Sequence, residues 1–419
     1  MAGLSYEDFL DPDYAPSDDD LVCTFAIDPA DGVDPDAAAS RVAAESSNGT
    51  WTALHPPESV SALRAVACEV EPDGDGYRVR VAYPGALFDP GNLAQVLSCV
   101  AGNIFGMTAV DRLRLLDCEW PAAVVESYPG PQFGSGVREA VFDVDDRPLT
   151  ATVPKPKVGL SPGAHAEVGY EAWVGGLDLL KDDENLTDQA FNPFADRLTA
   201  VLDARDRAVA ETGEPKSYLV NVTGPAHVML ERADEVASQG GEYVMVDVVT
   251  AGWAAVQSLR ERCGDLGLAM HAHRAMHAAF DRVPDHGVSM RALAQVARLA
   301  GVDQLHTGTA GLGKLANEDT VGINDWLRGD LHGLRDVLPV ASGGLHPGLV
   351  PDLLDAVGTR VVVQAGGGVH GHPGGTRAGA AALRRAVDAA VAGESLDDAA
   401  AEHEALATAL DTWGRETPR

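Results

Sequence analysis

Lys155, Lys157, Lys181 and Lys314 are four of only five lysines in the chain. Each lies just beyond a short apolar run, and so do most other side chains here able to do chemistry. Lys181 heads the run Lys181-Asp182-Asp183-Glu184-Asn185. Carboxylates at a strand end suit a hard divalent cation such as Mg2+. The bland reading is a solvated acidic face, because Asp18–Asp20, Asp145–Asp146 and Asp397–Asp398 are acidic as well. His271 and His273 follow another run, with Arg274 and His277 close behind. No cysteine or third histidine stands at zinc-ligand spacing, so packing or hydrogen-bonded core histidines compete with a metal pair. The turns Ser342-Gly343-Gly344 and Gly366-Gly367-Gly368 close two more runs. Glycine-rich turns expose backbone N–H groups that cradle phosphate, although the same glycines also serve plain tight turns. Arg274 and His306 offer groups for a second phosphate. The chemistry implied is that of a Mg2+ enzyme acting on a small phosphorylated molecule.

Such residues need elements to hold them together. From residue 131 onward, eight apolar runs recur at 149–153, 176–180, 218–222, 243–248, 266–270, 303–306, 338–341 and 360–364. Helical segments lie between them, among them 196–213, 226–240, 290–301 and 379–393. Strands alternating with helices imply right-handed βαβ units and a parallel sheet. Eight units over about 270 residues fit a (β/α)8 barrel, whose catalytic residues project from the C-terminal strand ends. The rival is a doubly wound open sheet, which lacks its GxGxxG fingerprint here. Before residue 131, strand-like runs at 21–27, 62–72, 77–84 and 112–120 surround a helix expected over 89–103 with Asp89 as its cap. That pattern implies a smaller α+β domain of ferredoxin-like type with an antiparallel sheet. The Pro- and Gly-rich stretch 127–136 is the linker. The domains expected are 1–130 and 131–419.

The 419 residues carry 31 Lys+Arg against 63 Asp+Glu, a net charge of −32. That charge argues against nucleic acid and anionic membranes as partners. With 26 arginines and five lysines, the chain reads as adapted to concentrated salt, where dense carboxylates keep a protein hydrated. Five widely spaced cysteines imply a reduced cytoplasmic protein with ordinary buried thiols. The acidic N-terminus is unlike a signal peptide, and no run approaches the ~20 apolar residues of a membrane span.

Several motifs together carry a resemblance. They are TVPKPKVGL at 152–160, Gly175-Gly176-Leu177-Asp178 running on to Lys181–Asn185, HAHRAMH at 271–277 and PVASGG at 339–344. ESSNGTWT at 45–52 and GNIFG at 102–106 extend the set into the N-terminal part. In this order they resemble the large chain of ribulose-1,5-bisphosphate carboxylase/oxygenase. TVPKPKVG and HTGTAGLGK resemble its archaeal type III branch, and the acidity adds a haloarchaeal source.

The resemblance implies a Mg2+-dependent carboxylase, with oxygenase side activity, that converts ribulose 1,5-bisphosphate to 3-phosphoglycerate. Lys181 would be carbamylated by a CO2 that is not the substrate, and with Asp183 and Glu184 it would hold Mg2+. Lys155 would serve as acid–base partner, Lys157 would position carbamate and substrate, and His273 would act on the carboxylated intermediate. Lys314, on a mobile loop, would close over the site. Arg274 and His306 would hold one phosphate; Gly344, Gly366 and Gly367, aided by Thr50 and Trp51, the other. Ser342, Gly343 and Gln364 would line that pocket. Glu45 and Asn103 would reach the site of a neighbouring subunit, implying a homodimer or a higher homo-oligomer, with no small subunit. The type III branch implies a step in AMP ribose salvage. Three departures from the plant pattern bear on closure: one extra residue between His306 and Lys314, Val153 in place of a threonine, and few residues after the last helix. The alternatives are a carboxylase-like enolase or isomerase of sulfur metabolism, which keeps the barrel but loses part of this residue set, and a non-catalytic assembly protein.

Overall fold

The computed structural model describes residues 4–313 and 318–418. The chain forms two compact units. One comprises Met1–Gly130 with Met276–Ala300 and Leu331–Leu334, the other Pro131–Ala275, Gly301–Asp330 and Arg335–Arg419.

The first unit holds β1 (Asp20–Pro29), β2 (Val66–Asp73), β3 (Gly76–Pro84) and β4 (Val110–Glu119). Helices Pro35–Glu45 and Leu93–Val100 complete a βαββαβ order. The sheet runs β4-β1-β3-β2 with every pairing antiparallel, the ferredoxin-like arrangement. Phe25, Ile27, Val79, Val81, Leu113 and Leu115 are buried at alternate positions of their strands. The helix expected at 89–103 starts later. Asn92, not Asp89, caps it by accepting from the Gln95 N–H. Gly91, at φ 75° just ahead of the cap, sits outside helical geometry and forbids the earlier start.

A fifth strand, β10 (Gly287–Val288), joins β4 in parallel. The helix Met290–Ala300 follows it in the same unit, although its sequence reads like one more barrel helix. Gln295 on this helix bonds both main-chain groups of Cys118 on β4. Arg291 pairs with Asp117 at 2.9 Å.

The second unit is a closed barrel of eight parallel strands, which excludes the open-sheet rival. They are β5 (Leu149–Thr152), β6 (Leu179–Lys181), β7 (Ser217–Asn221), β8 (Tyr243–Asp247), β9 (Ala269–His273), β11 (Gln304–His306), β12 (Leu338–Ser342) and β13 (Val362–Gln364). Leu149, Ala151, Leu179, Leu219, Met245, Ala269, Val340 and Val362 fill its interior. Phe142, from the short helix Val137–Phe142, packs on Tyr243 and closes the N-terminal end. Long helices such as Phe194–Thr212 and Gly375–Ala392 cover the outside.

Two barrel strands start three residues later than their apolar runs. β6 begins at Leu179 rather than at 176, because Asp178 is locked ahead of it by Arg147 and by the Thr150 N–H. Lys181 is therefore the strand's last residue. β9 begins at Ala269 rather than at 266, because the preceding helix runs to Leu266 and ends on left-handed Gly267, φ 72°. His271 and His273 thus lie within β9, on the same side as the interior Ala269.

Candidate active site

The pleat of the strand sorts the acidic run. Lys181 is fully buried at the end of β6, its Nζ donating to the Asp182 carbonyl at 2.9 Å and lying 3.8 Å from Glu184 Oε2. Burial lowers the Lys181 pKa, against the opposing pull of Glu184, Asp247, Asp183 and Asp182. Asp182 is directed away from Lys181 and Asp183. Its carboxylate accepts from Tyr218 Oη at 2.6 Å, Arg197 Nε at 3.1 Å and the Asn221 N–H at 3.0 Å, with His165 Nε2 3.1 Å away. Asp182 and Arg197 are both wholly buried. Although burial would raise the Asp182 pKa, Arg197, His165 and Tyr218 hold it well below the carboxylate range. Asp183 receives Lys155 Nζ at 3.3 Å and two bonds from Asn185. Burial would raise its pKa too, but the Asn185 bonds, Lys155 and Lys181 outweigh that and lower it.

Across the mouth, His273 Nδ1 lies 2.9 Å from Asp247 Oδ1, and its Nε2 lies 3.6 Å from Glu184 Oε2. Burial, with Lys181 adding to it, pushes His273 down to about 3. His306 stacks edge-on against His273 at 4.8 Å. Beneath them runs one hydrogen-bonded row: Ser342 Oγ to His306 Nδ1 at 2.7 Å, His306 Nε2 to His271 Nε2 at 2.9 Å, and His271 Nδ1 to Gln304 Oε1 at 2.8 Å. Gln304 Nε2 donates to Tyr243 Oη, so Oε1 faces His271 as an acceptor. Each neutral ring can then donate from one nitrogen and accept at the other. Burial pushes both His271 and His306 well below the usual histidine range, in keeping with that row. In that row the neutral His306 donates from Nε2 to His271 and accepts at Nδ1 from Ser342, so both of its ring nitrogens are engaged.

Arg274, nearly buried, pairs with Glu318. Gly343 and Gly344 have φ of 118° and 95°. A Cβ on Gly313 would fall 2.2 Å from the Gly343 carbonyl, and one on Gly366 would fall 3.0 Å from Lys155 Cε. These glycines let three loops and a lysine approach closely. Gln364 ends β13 with its Oε1 buried and without a partner, a polar atom oriented for something other than protein. Lys157 is exposed on the loop after β5. Lys314 lies outside the described residues. Glu45, Thr50, Trp51 and Asn103 belong to the first unit. There Asn103 Nδ2 lies 3.5 Å from Glu45 Oε1, and Trp51 is 82% exposed.

Comparison with known proteins agrees with this arrangement. Residues 136–413 match the model of the ribulose bisphosphate carboxylase large chain, catalytic domain, and residues 8–124 match that of its N-terminal domain. The chain belongs to the ribulose bisphosphate carboxylase large-chain family. It is 53% identical to the ribulose bisphosphate carboxylase of Pyrococcus abyssi over 418 residues, covering 99% of this chain and 98% of the relative. The enzyme of Methanosarcina acetivorans is 47% identical over 424 residues, covering 97% and 99%. Among solved structures, the octameric Rubisco of Pyrococcus horikoshii in complex with sulfate ion superposes with a TM-score of 0.95 at 52% identity, covering 99% of this chain and 98% of the other. The dimeric archaeal Rubisco of Hyperthermus butylicus gives 0.92 at 45%, covering 98% and 99%.

Membership in the carboxylase family makes the chain an enzyme, a carbon–carbon lyase of archaeal type. It also implies a metal and a carbamylated lysine in general terms, and the residues present fit both. Lys181 is a buried amine whose pKa burial lowers, and Asp183 and Glu184 beside it supply hard oxygen donors. Asp247 and Asn221 escaped the sequence reading. Each is the polar last residue of a buried strand, Tyr243–Asp247 and Ser217–Asn221, and that position was their signal. Asn221 Nδ2 reaches the Glu184 carbonyl at 3.3 Å. Among the described residues no helix is long and apolar enough to cross a membrane.

Proposed function

We propose that this chain joins CO2 and water to ribulose 1,5-bisphosphate and cleaves the product into two molecules of 3-phosphoglycerate, with O2 competing for the same enediolate. The supporting observation is Lys181, fully buried and lowered in pKa beside Asp183 and Glu184 at the strand ends. Its neutral amine attacks CO2, an N–C bond forms, one N–H proton leaves, and a carbamate remains. Carbamate, Asp183 and Glu184 would then offer three oxygen ligands to Mg2+. When bound, Mg2+ supplies positive charge that favours the enediolate over the neutral sugar.

The chain's own groups do the rest. The carbamate on Lys181 accepts the C3 proton. Lys155, held 3.3 Å from Asp183, protonates the final three-carbon carbanion. His273, oriented by Asp247, assists hydration and deprotonation of the carboxylated intermediate. Lys157 positions the carbamate and substrate, and Lys314 closes over the incoming carboxylate. Arg274 and His306 bind one phosphate. Gly344, Gly366 and Gly367 bind the other with Thr50 and Trp51, while Ser342, Gly343 and Gln364 line the pocket. Glu45 and Asn103 come from a second copy of the chain, so the working unit is a homodimer or a higher homo-oligomer. The octameric and dimeric archaeal relatives support homo-oligomerisation. The setting is a salt-rich cytoplasm, and the flux serves salvage of AMP ribose. Product stoichiometry tests the reaction: purified chain, Mg2+, bicarbonate and ribulose 1,5-bisphosphate should yield two 3-phosphoglycerates per sugar consumed under anaerobic conditions. Isomerised sugar without cleavage would overturn it.

A further inference from the structure

Cys23 and Cys118 are 95 positions apart, yet β1 and β4 pair them directly and bring their Sγ atoms to 3.5 Å. The type of pairing follows from Gln295. The Cys118 N–H donates to Gln295 Oε1 at 3.1 Å and the Cys118 carbonyl accepts from Gln295 Nε2 at 3.0 Å. Both main-chain groups of Cys118 therefore face the helix Met290–Ala300 and not β1. That makes Cys23–Cys118 a non-hydrogen-bonded antiparallel pair, for which Cα atoms lie about 4.5 Å apart and side chains are closest. Disulfides span Cα separations of about 4.4–6.8 Å. Among the described residues no other two cysteine sulfurs come within bonding reach of each other.

We propose that Cys23 and Cys118 are a disulfide-forming pair, oxidised by a low-molecular-weight disulfide while the sheet is forming or open, so that β1 and β4 become covalently linked. The step is thiol–disulfide exchange. One cysteine thiolate attacks the small disulfide, a small thiol leaves, and a mixed disulfide forms. The second cysteine thiolate then attacks the protein sulfur of that bond, and the second small thiol leaves. The two cysteines lose two electrons and two protons, and the small disulfide gains them. In the folded chain both cysteines are buried, and burial together with Cys118 pushes the Cys23 thiol well above its ordinary pKa. Exchange therefore belongs to the open state, and once formed the bond is shielded from reductant.

The test uses the full chain, unfolded with reductant and refolded in salt with reduced and oxidised glutathione. It is then alkylated under denaturing conditions and weighed intact. The expected result is three alkylated cysteines, a linked peptide containing Cys23 and Cys118, and an unfolding temperature that drops once dithiothreitol is present during unfolding. Five alkylated cysteines at every glutathione ratio, or a link through Cys68, Cys99 or Cys263, would overturn the proposal. Folded chain held in the same buffers through repeated heating to partial unfolding gives a second reading without refolding. C118S should leave all four remaining cysteines alkylated; an undiminished cross-link in that variant would also count against the pair.

Discussion

Asp247 Oδ1 stands 2.9 Å from His273 Nδ1, and the opposite ring nitrogen stands 3.6 Å from Glu184. The two residues end adjacent barrel strands in direct register, Asp247 opposite His273. The Ala275 N–H also lies 3.2 Å from that Nδ1; in the tautomer that donates Nδ1–H to the shorter Asp247 contact, Nε2 is left to handle a substrate proton.

Asp247→Asn keeps the shape and removes the anion. Steady-state assays should show kcat lowered by about 10–100-fold, the range for lost partners of this kind. The unfolding temperature should barely move. Unchanged kcat would show that Asp247 does not orient the base.

The pH dependence of activation follows from Lys181. Only its neutral amine reacts with CO2, so activation rises with pH until that lysine is deprotonated. Burial lowers its pKa, so the rise should level off below the ordinary lysine value of about 10.4. The measurement is the rate of CO2-dependent activation against pH at fixed dissolved CO2. A midpoint at or above the ordinary value would contradict the buried-amine account.

Asp182 and Arg197 form a buried ion pair behind the site. Arg197→Met leaves Asp182 charged and buried, and denaturant unfolding should register a loss of about 3–5 kcal/mol. The folded pKa of Asp182 is depressed. The pair's contribution is therefore complete above the unfolded value near 3.9 and is lost as pH falls through the folded one. A loss below about 1 kcal/mol would mean that Tyr218, the Asn221 N–H and His165, the other partners of Asp182, satisfy its carboxylate alone.

The charge of −32 should make stability depend on salt, because self-repulsion is screened over about 10 Å at 0.1 M and about 3 Å at 1 M. Thermal unfolding and sedimentation from low to multimolar KCl should show a rising unfolding temperature and a tighter oligomer. Flat curves would remove the salt-adaptation reading.

Much of this was legible because buried parallel strands read as continuous apolar runs, and all eight barrel strands announced themselves that way. Their ends were harder. Leu266, Gly267 and Leu268 look like strand, yet the helix ahead consumes Leu266, which moved His271 and His273 onto β9. Asp247 and Asn221 were hidden because each is embedded in its run rather than set after it. The helix Met290–Ala300 has the same periodicity as any barrel helix, and periodicity does not say which unit it buries its face against. The Cys23–Cys118 pairing is a matter of β-sheet register, which spacing in the chain does not encode.

We propose that a carbamate on Lys181 makes this site a carboxylase. The direct measurement compares wild type and Lys181→Ala, each pre-incubated with CO2 and Mg2+ and then given ribulose 1,5-bisphosphate with labelled bicarbonate. Acid-stable label should enter 3-phosphoglycerate with the wild type and be absent with the variant. Label at wild-type rates in Lys181→Ala, or none with the wild type, would contradict the account.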